Sequence, residues 1–342
     1  MQKISIGNLK SGTSLGRDIY SSTGQLLLRK GSMLDENVLS AFKRQGIEHV
    51  FVLDIPQRRT HVQVPFNQGY TDSVDQMKNF LLEAQIGQPL EQPEVDQTVS
   101  RLLNLVYDEV DIFQRIRQMK NTDEYLYTHS LNVSLLCVMI ARWLKCPPKM
   151  IKDMGLAGLL HDIGKANVPT GILTKPEPLT EEELHEVQSH AVKGFEIAQK
   201  IPWISKDILD AVRLHHERLD GSGYPEGLEG DAIPLIARVV AVADVYDAIT
   251  SERVYAGKMS PYQAAEVLWD ESFGRLDPRI AKVFYDRASN FYIGNTVILS
   301  NGMIGKVVYI NPTMPTRPVV ESNGEYHDLS RNRTVTITEV VD

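Results

Sequence analysis

The strongest constraint on how this chain can fold is an ordered series of imidazoles and carboxylates in helix-patterned sequence. The series runs His129, the pair His161-Asp162, His190, the pair His215-His216, then Asp244. Five of the nine histidines belong to it, so these residues are not scattered evenly along the chain. Each donor follows or interrupts an apolar helical pattern. The stretch TDEYLYTHSLNVSLLCVMIARWLK predicts one long helix, ended by Cys146-Pro147-Pro148, with His129 near its start. GLAGLLHDIGK is an apolar helix that abruptly presents His161 and Asp162, groups costly to bury unless they are paired or hold a cation. Gly164 is expected to end that helix, with Lys165 directly after it.

The stretch LTEEELHEVQSHAVKGFEIAQK opens with a capping box, Thr180 with Glu183. Its apolar stripe is Leu184, Val187, Ala191, Phe195 and Ala198. His190 lies beside the stripe, Gly194 leaves room for a close neighbour, and His185 falls on the outer face. In SKDILDAVRLHHERLDG, Ile208, Leu209 and Val212 lead into His215 and His216. In PLIARVVAVADVYDAIT, Pro234 suits a helix start and Asp244 follows Val240 by four residues. Asp247, one turn further, reads as a structural group or one that orients a ligand. Singly, each donor is explained as a satisfied buried polar group; together, one or two inward donors per helix imply a metal site. Imidazole and carboxylate suit divalent Fe, Mn, Ni or Zn. Seven donors exceed one tetrahedral site, which implies two adjacent cations and, with them, phosphate-ester hydrolysis.

Composition narrows the alternatives. Hydrophobic residues make up 42% and charged residues 23%, ordinary values for a chain with a buried core. A net charge of -8 argues against a generally basic DNA-binding surface. Cys137 and Cys146 are too few for a disulfide scaffold and read as reduced thiols. No apolar run approaches the roughly 18 residues of a membrane span, and the start MQKISIGNLKSG lacks a signal-peptide core. The expected location is the cytoplasm.

The pattern divides the chain into four parts. Residues 1–62 read as a small α+β module, with strands around Ile4 and Ile6, at Leu26–Leu28 and in HVFVLDIP, and a helix carrying Val38, Leu39 and Phe42 that Gly46 stops. His49 and His61 there are isolated. Residues 63–97 read as a linker around one helix, TDSVDQMKNFLLEAQ, with IGQPLEQPEVDQ as a loop. Residues 98–290 are almost wholly helical and hold every candidate ligand. Residues 291–342 form a small antiparallel β module interrupted by a Pro-rich stretch. There Asn301-Gly302 and Asn323-Gly324 both predict two-residue type I′ hairpin turns.

The motifs H-D-I-G-K at 161–165 and H-H-E-R-L-D-G-S-G-Y-P at 215–225 resemble the HD-GYP subgroup of the HD-domain phosphohydrolases. The likeness continues through G-L-E-G-D-A-I-P at 227–234, A-V-A-D at 241–244 and L-D-P at 276–278, and covers roughly 98–290. It implies a mainly α protein: an all-helical HD-type metal-binding domain flanked by the two small modules. It implies hydrolysis of cyclic di-GMP to linear pGpG, and in some members GMP, in bacterial second-messenger signalling. His129, His161, Asp162, His190, His215, His216 and Asp244 match the metal-binding positions, with Asp162 as the bridge between ions. Lys165 and Arg253 match residues that contact substrate phosphate, and Asp162 and Lys165 are the catalytic positions. Tyr224 is a candidate to stack on a guanine. The Gly223-Tyr224-Pro225 loop is a candidate contact surface for a partner such as a diguanylate cyclase, and the N-terminal module a candidate for regulation or a homodimer contact.

The resemblance implies two divalent ions, iron or manganese, with nickel, zinc or magnesium as alternatives. Trinuclear members carry a glutamate where this chain has Tyr125; Glu124 is adjacent but points elsewhere on a helix, which favours two ions. Many members also carry a lysine at the position of Ala256, a contact that Lys258 could replace. Glu217, Arg218 and Asp220 read as braces of the loop. The Ala256 departure keeps a catalytically weak, metal- and nucleotide-binding module open, and an HD hydrolase of another cyclic nucleotide is the further alternative.

Overall fold

The computed structural model describes residues 66–106, 112–119, 125–251, 259–288 and 293–341, with shorter stretches between residues 2 and 52. The chain divides into two compact units, Met1–Gln63 and Val64–Asp342. In the first unit the strands are β1 (Gln2–Ser5), β2 (Thr13–Ser14), β3 (Ile19–Tyr20), β4 (Leu26–Leu28), β5 (Met33–Leu34) and β6 (His49–Val52). They pair antiparallel as β1 with β6, β2 with β5, and β3 with β4. Ile6, Leu15, Leu34, Phe42 and Val50 are buried together, as the alternating apolar residues require. His49 is exposed on β6. Of the helix expected over 38–46, only Phe42, Lys43 and the buried state of Phe42 fall among the described residues, and His61 lies outside them.

The second unit opens with α1 (Phe66–Gln85) and α2 (Gln92–Leu105). Here the structure departs from a linker over 63–97. Tyr70, Met77 and Phe80 of α1 and Val95, Val99 and Leu102 of α2 are buried in the same core as the later helices. The second proline of the expected loop, Pro93, sits in the first turn of α2, where a missing N–H costs nothing. Next come α3 (Ile112–Gln118), α4 (Tyr125–Trp143) and α5 (Pro148–Leu160). α4 ends before the two prolines: Lys145 takes a left-handed φ of 58°, and the Cys146 N–H reaches back to the Ala141 carbonyl at 3.0 Å. α5 lies tight against α4 because it presents glycines. A β-carbon on Gly158 would lie 2.9 Å from the Ser134 Cα, and the Ser134 hydroxyl donates to the Gly155 carbonyl at 2.6 Å.

A 3-10 turn (Ile163–Asn167) leads through α6 (Thr170–Leu173) to α7 (Glu181–Gln188) and α8 (His190–Ala198). The capping box at Thr180 and Glu183 is present. The single helix expected here is divided at Ser189, and Leu184 is 49% exposed, not part of a buried stripe. The buried face begins only where α8 meets α9 (Lys206–Leu214), so a first turn on the outer rim has nothing to pack against. α10 (Leu235–Thr250), α11 (Pro261–Glu271) and α12 (Pro278–Ala288) complete the bundle. Phe113 of α3 stacks on Trp143 and meets Tyr246 and Phe284 edge-on, tying α3, α4, α10 and α12 together.

The chain then forms β7 (Thr296–Leu299), β8 (Ile304–Asn311), β9 (Met314–Ser322), β10 (Glu325–Asp328) and β11 (Ile337–Val340), a sheet ordered β10-β9-β8-β7-β11. Its inner residues Val297, Leu299, Val307, Val320 and Ile337 join the helical core. The Pro-rich stretch is strand: Pro315 and Pro318 lie in β9, beside register shifts in its pairing with β8. Asn323 and Gly324 both have positive φ, 54° and 84°, as a type I′ turn needs. Asn301-Gly302 differs. Only Gly302 is positive, at 82°; its N–H bonds the Leu299 carbonyl while the Leu299 N–H bonds the Met303 carbonyl. That is a three-residue loop, a type I turn followed by a left-handed glycine. Cys137 is buried and both cysteines are free thiols. No helix among the described residues is long and apolar enough to cross a membrane.

Candidate metal centre

Seven donors from five places in the bundle meet in one largely buried cluster. Asp162, His190, His215 and His216 form one group and His129, His161 and Asp244 a second; within each, the ligand atoms lie within 4.8 Å of one another. These are the seven positions read from the sequence. The local reason is helix-end chemistry. The last carbonyls of a helix have no partner within it. His161 and His215 follow directly on α5 and α9, and His190 follows the end of α7. The Nδ1 of each points at the carbonyl three residues before it: Gly158 at 2.8 Å, Val212 at 2.8 Å and Val187 at 2.6 Å. With Nδ1 donating there, each ring offers Nε2 to the cluster. The Nε2 atoms of His190 and His215 lie 3.3 Å apart, and those of His216 and His190 3.2 Å.

Asp162 faces both groups. Its Oδ1 lies 3.3 Å from His190 Nε2, while its Oδ2 lies 3.3 Å from His161 Nε2 and 3.5 Å from His129 Nε2. Asp244 Oδ1 is 3.1 Å from His129 Nε2. The buried His161 Nε2 and Asp162 Oδ1 have no hydrogen-bond partner, although a buried polar atom without one is costly. A divalent cation satisfies that donor set, so the residues fit a metal.

The electrostatics agree. Burial drives the His215, His190 and His216 imidazoles down, His216 to about 3, so these rings are neutral and able to ligate. Burial works against charge on Asp162, but His161, Lys165 and His190 hold it well below the usual carboxylate range. Burial likewise opposes the charge on Asp244, and His129 overrides it. His129 is the exception among the rings: burial would lower it, yet hydrogen bonds with Asp244 and Asp247 raise it to about 9. A proton there balances two carboxylates.

The loop after α9 packs on the cluster through Tyr224. Tyr224 stacks on His216, with ring centroids 4.6 Å apart and planes at 25°. The buried Glu217 carboxylate accepts the backbone N–H groups of Glu226 at 2.7 Å and Leu228 at 2.9 Å. A β-carbon on Gly223 would meet the Glu217 Cα at 2.4 Å, so only glycine fits there. The Tyr224-Pro225 peptide is cis. Arg218 donates to the His215 and Glu217 carbonyls, and Asp220 takes the Ser222 N–H and hydroxyl.

Other expected residues fall differently. Lys165 makes an ion pair with Asp162 Oδ2 at 2.5 Å. Gly164 does not end the helix: α5 stops at Leu160, and Gly164 lies inside the 3-10 turn, where its lack of a side chain lets it touch the backbone of α8. Tyr125 stacks on His129 at 5.4 Å. His185 is exposed. Arg253, Ala256, Lys258 and Glu124 lie outside the described residues. Asp247, left as structural or orienting from the sequence, accepts His129 Nδ1–H at 2.8 Å and Asn132 Nδ2–H at 3.0 Å. Its spacing from Asp244 placed it on the same helix face, but nothing local said which histidine it would meet.

Comparison with known proteins follows this geometry. The HD domain family model matches residues 101–280. A cyclic di-GMP phosphodiesterase of Pseudomonas aeruginosa is 37% identical over 66% of this chain and 54% of its own length. A 3'3'-cGAMP-specific phosphodiesterase of Vibrio cholerae is 38% identical over 49% of this chain and 39% of its own. The chain therefore spans less than two thirds of these relatives' length. The structure of an HDG"Y"P protein from Bdellovibrio bacteriovorus shares the fold, with a TM-score of 0.54 at 17% identity, covering 83% of this chain and 98% of that one. The matched model and the clustered donors lead to one assignment: the chain, whose H-D and G-Y-P motifs resemble the HD-GYP group, belongs to the HD-domain family.

Proposed function

We propose that this protein is a metal-dependent phosphodiesterase that opens cyclic di-GMP to linear pGpG, with onward cleavage to GMP as a second product. The observation that carries the reading is Asp162, whose two oxygens face separate sets of donors. Asp162, His190, His215 and His216 would hold one cation, and His129, His161 and Asp244 the other, with Asp162 as the bridge. Iron or manganese suits these nitrogen and oxygen donors. Bound there, the cations would supply Lewis acidity and would lower the pKa of a water so that hydroxide is available near neutral pH.

The protein's own groups supply the rest. Lys165, poised on Asp162, offsets negative charge on a non-bridging phosphoryl oxygen, and Arg253, outside the described residues, is assigned to phosphate by the motif resemblance alone. Tyr224 presents the aromatic face nearest the ligands for stacking a guanine. The reading is tested by loading the purified chain with Mn²⁺ or Fe²⁺ and following a panel of cyclic dinucleotides by chromatography. Conversion of cyclic di-GMP to pGpG, abolished by chelation and by H161A/D162A, is expected. A second reading, cleavage of 3'3'-cGAMP, draws on the similarity to the Vibrio cholerae enzyme and shows as selective loss of that nucleotide. Binding of cyclic di-GMP to the metal-loaded chain without turnover would replace both by a sensor role.

A further inference from the structure

We propose that Asp247 is a positioning residue of the metal centre, held by a relay from α1: Tyr70 to Asn132 to Asp247 to His129. The inference rests on the metal reading above and adds residues that ligate nothing. Three of the ligand imidazoles are oriented by main-chain carbonyls of the helix they follow. His129 lies inside α4, near its start, where the carbonyls before it serve the helix itself. Its Nδ1 turns instead to Asp247 Oδ2 at 2.8 Å, on another helix. The other carboxylate oxygen accepts Asn132 Nδ2–H at 3.0 Å, and the Asn132 Oδ1 accepts the Tyr70 hydroxyl at 2.7 Å. Tyr70, Asn132, His129 and Asp247 are all buried.

The directions of these bonds fix one arrangement. Asn132 cannot turn its amide over without losing Tyr70 as donor and facing Asp247 oxygen to oxygen. Asp247, acceptor at both oxygens, then requires a proton on His129 Nδ1, so Nε2, beside Asp244, is the nitrogen left for a cation. A carboxylate behind a ligand imidazole fixes its tautomer and raises its basicity, and loss of such partners typically weakens metal affinity about 10–100-fold. The relay also makes α1, the first helix of the second unit, part of the centre's support.

Asp247→Asn is the direct test, because an amide of the same shape has one acceptor where the carboxylate takes His129, Asn132 and, at 3.4 Å, the Ser251 hydroxyl. Its NH₂ must face either Asn132 or His129, and facing His129 reverses the tautomer. Mn²⁺ uptake by the metal-free full chain would be titrated by calorimetry in the parent, D247N, H129A and the double variant. The expected result is about 10–100-fold weaker uptake in D247N and less than about twofold further loss when H129A is already present. Equal losses from D247N in both backgrounds would make Asp247 an ordinary structural acid and overturn the proposal. If D247N does not fold, Tyr70→Phe keeps the buried ring and removes only the hydroxyl. About threefold weaker uptake is expected, again absent in H129A; no change, or an equal change in both backgrounds, counts against the relay. A parent chain that takes up no Mn²⁺ overturns the metal reading itself, whereas uptake with additive variants overturns this inference alone.

Discussion

Gly164 lies so close to His190 that a β-carbon on it would sit 2.0 Å from the His190 carbonyl oxygen and 2.4 Å from the Gly194 nitrogen. Both obstacles are backbone, so no side-chain rotation can relieve them. This contact joins the 3-10 turn that follows Asp162 to the helix that begins with His190, and therefore sets the distance between two candidate ligands. Gly164→Ala is expected to cost about 3 kcal/mol and to weaken Mn²⁺ uptake. Gly194→Ala meets the Val212 methyl at 3.0 Å, a softer neighbour, and should cost about 1 kcal/mol. Thermal unfolding of both variants in chelator gives the order; a Gly194→Ala loss larger than that of Gly164→Ala would contradict the packing described.

Glu217 holds the GYP loop from below. Its two oxygens accept the Glu226 and Leu228 N–H groups, and the side chain is buried. Glu217→Gln keeps the size but turns a donor toward one of those N–H groups. The expected cost is about 2 kcal/mol, because hydrogen bonds to charged groups are worth more than neutral ones and a buried donor is left unmatched. Amide exchange should accelerate at Glu226 and Leu228 ahead of the α10 core. Exchange that rises equally throughout the bundle would show that Glu217 supports the whole unit and not the loop.

The ligand series was legible because each member breaks an apolar helical run, and a bundle with a single core has few ways to bury such breaks. Asp247 was less so. Its role depends on how α10 crosses α4, which periodicity along one helix does not contain. Gly164 was misread for a related reason: a glycine after an apolar helix usually stops it, yet here its smallness serves contact with a helix distant in sequence. The two Asn-Gly pairs show the limit in the sheet. Identical dipeptides make different turns, because Leu299 pairs with Met303 and leaves three residues in the loop. α2 was hidden by Pro93, which reads as a breaker unless its place in a first turn is known.

Protons and cations should compete at His129. Below pH 9 the metal-free chain holds a proton there, since Asp244 and Asp247 raise the imidazole to about 9 against the effect of burial. A cation that takes Nε2 displaces it, so binding between pH 7 and 8 should release close to one proton from this ring. Calorimetry in buffers of different ionisation enthalpy measures the number, and no release would mean that His129 is not a ligand. The same groups shape stability. His129 binds its proton more tightly in the folded chain, so its contribution is complete below about 6.5 and fades as pH rises through about 9. His216, lowered to about 3, behaves oppositely: the unfolded chain takes up a proton below about 6.5 that the fold refuses, and stability falls as pH drops from there toward 3. The Tm of metal-free protein should therefore decline on both sides of about pH 6.5.

Replacing Lys165 should separate metal binding from catalysis. Its ammonium is 2.5 Å from Asp162 Oδ2 and its side chain is 20% exposed, so it reaches both the Asp162 carboxylate and solvent. A positive charge there opposes a second positive charge on the same carboxylate. Lys165→Met keeps most of the aliphatic stem and removes that repulsion, and Mn²⁺ affinity is expected to rise a few-fold, by about the value of a partly solvated charge pair. Turnover should move the other way. If the ammonium offsets charge on the phosphoryl oxygens in the transition state, kcat falls by about 10²–10³, the usual loss when one such donor is removed. Opposite signs in titration and turnover distinguish this role from a structural one, in which the broken ion pair would loosen Asp162 and lower both. Equal declines in metal affinity and kcat would therefore place Lys165 among the supports of Asp162 and leave the phosphate without that contact.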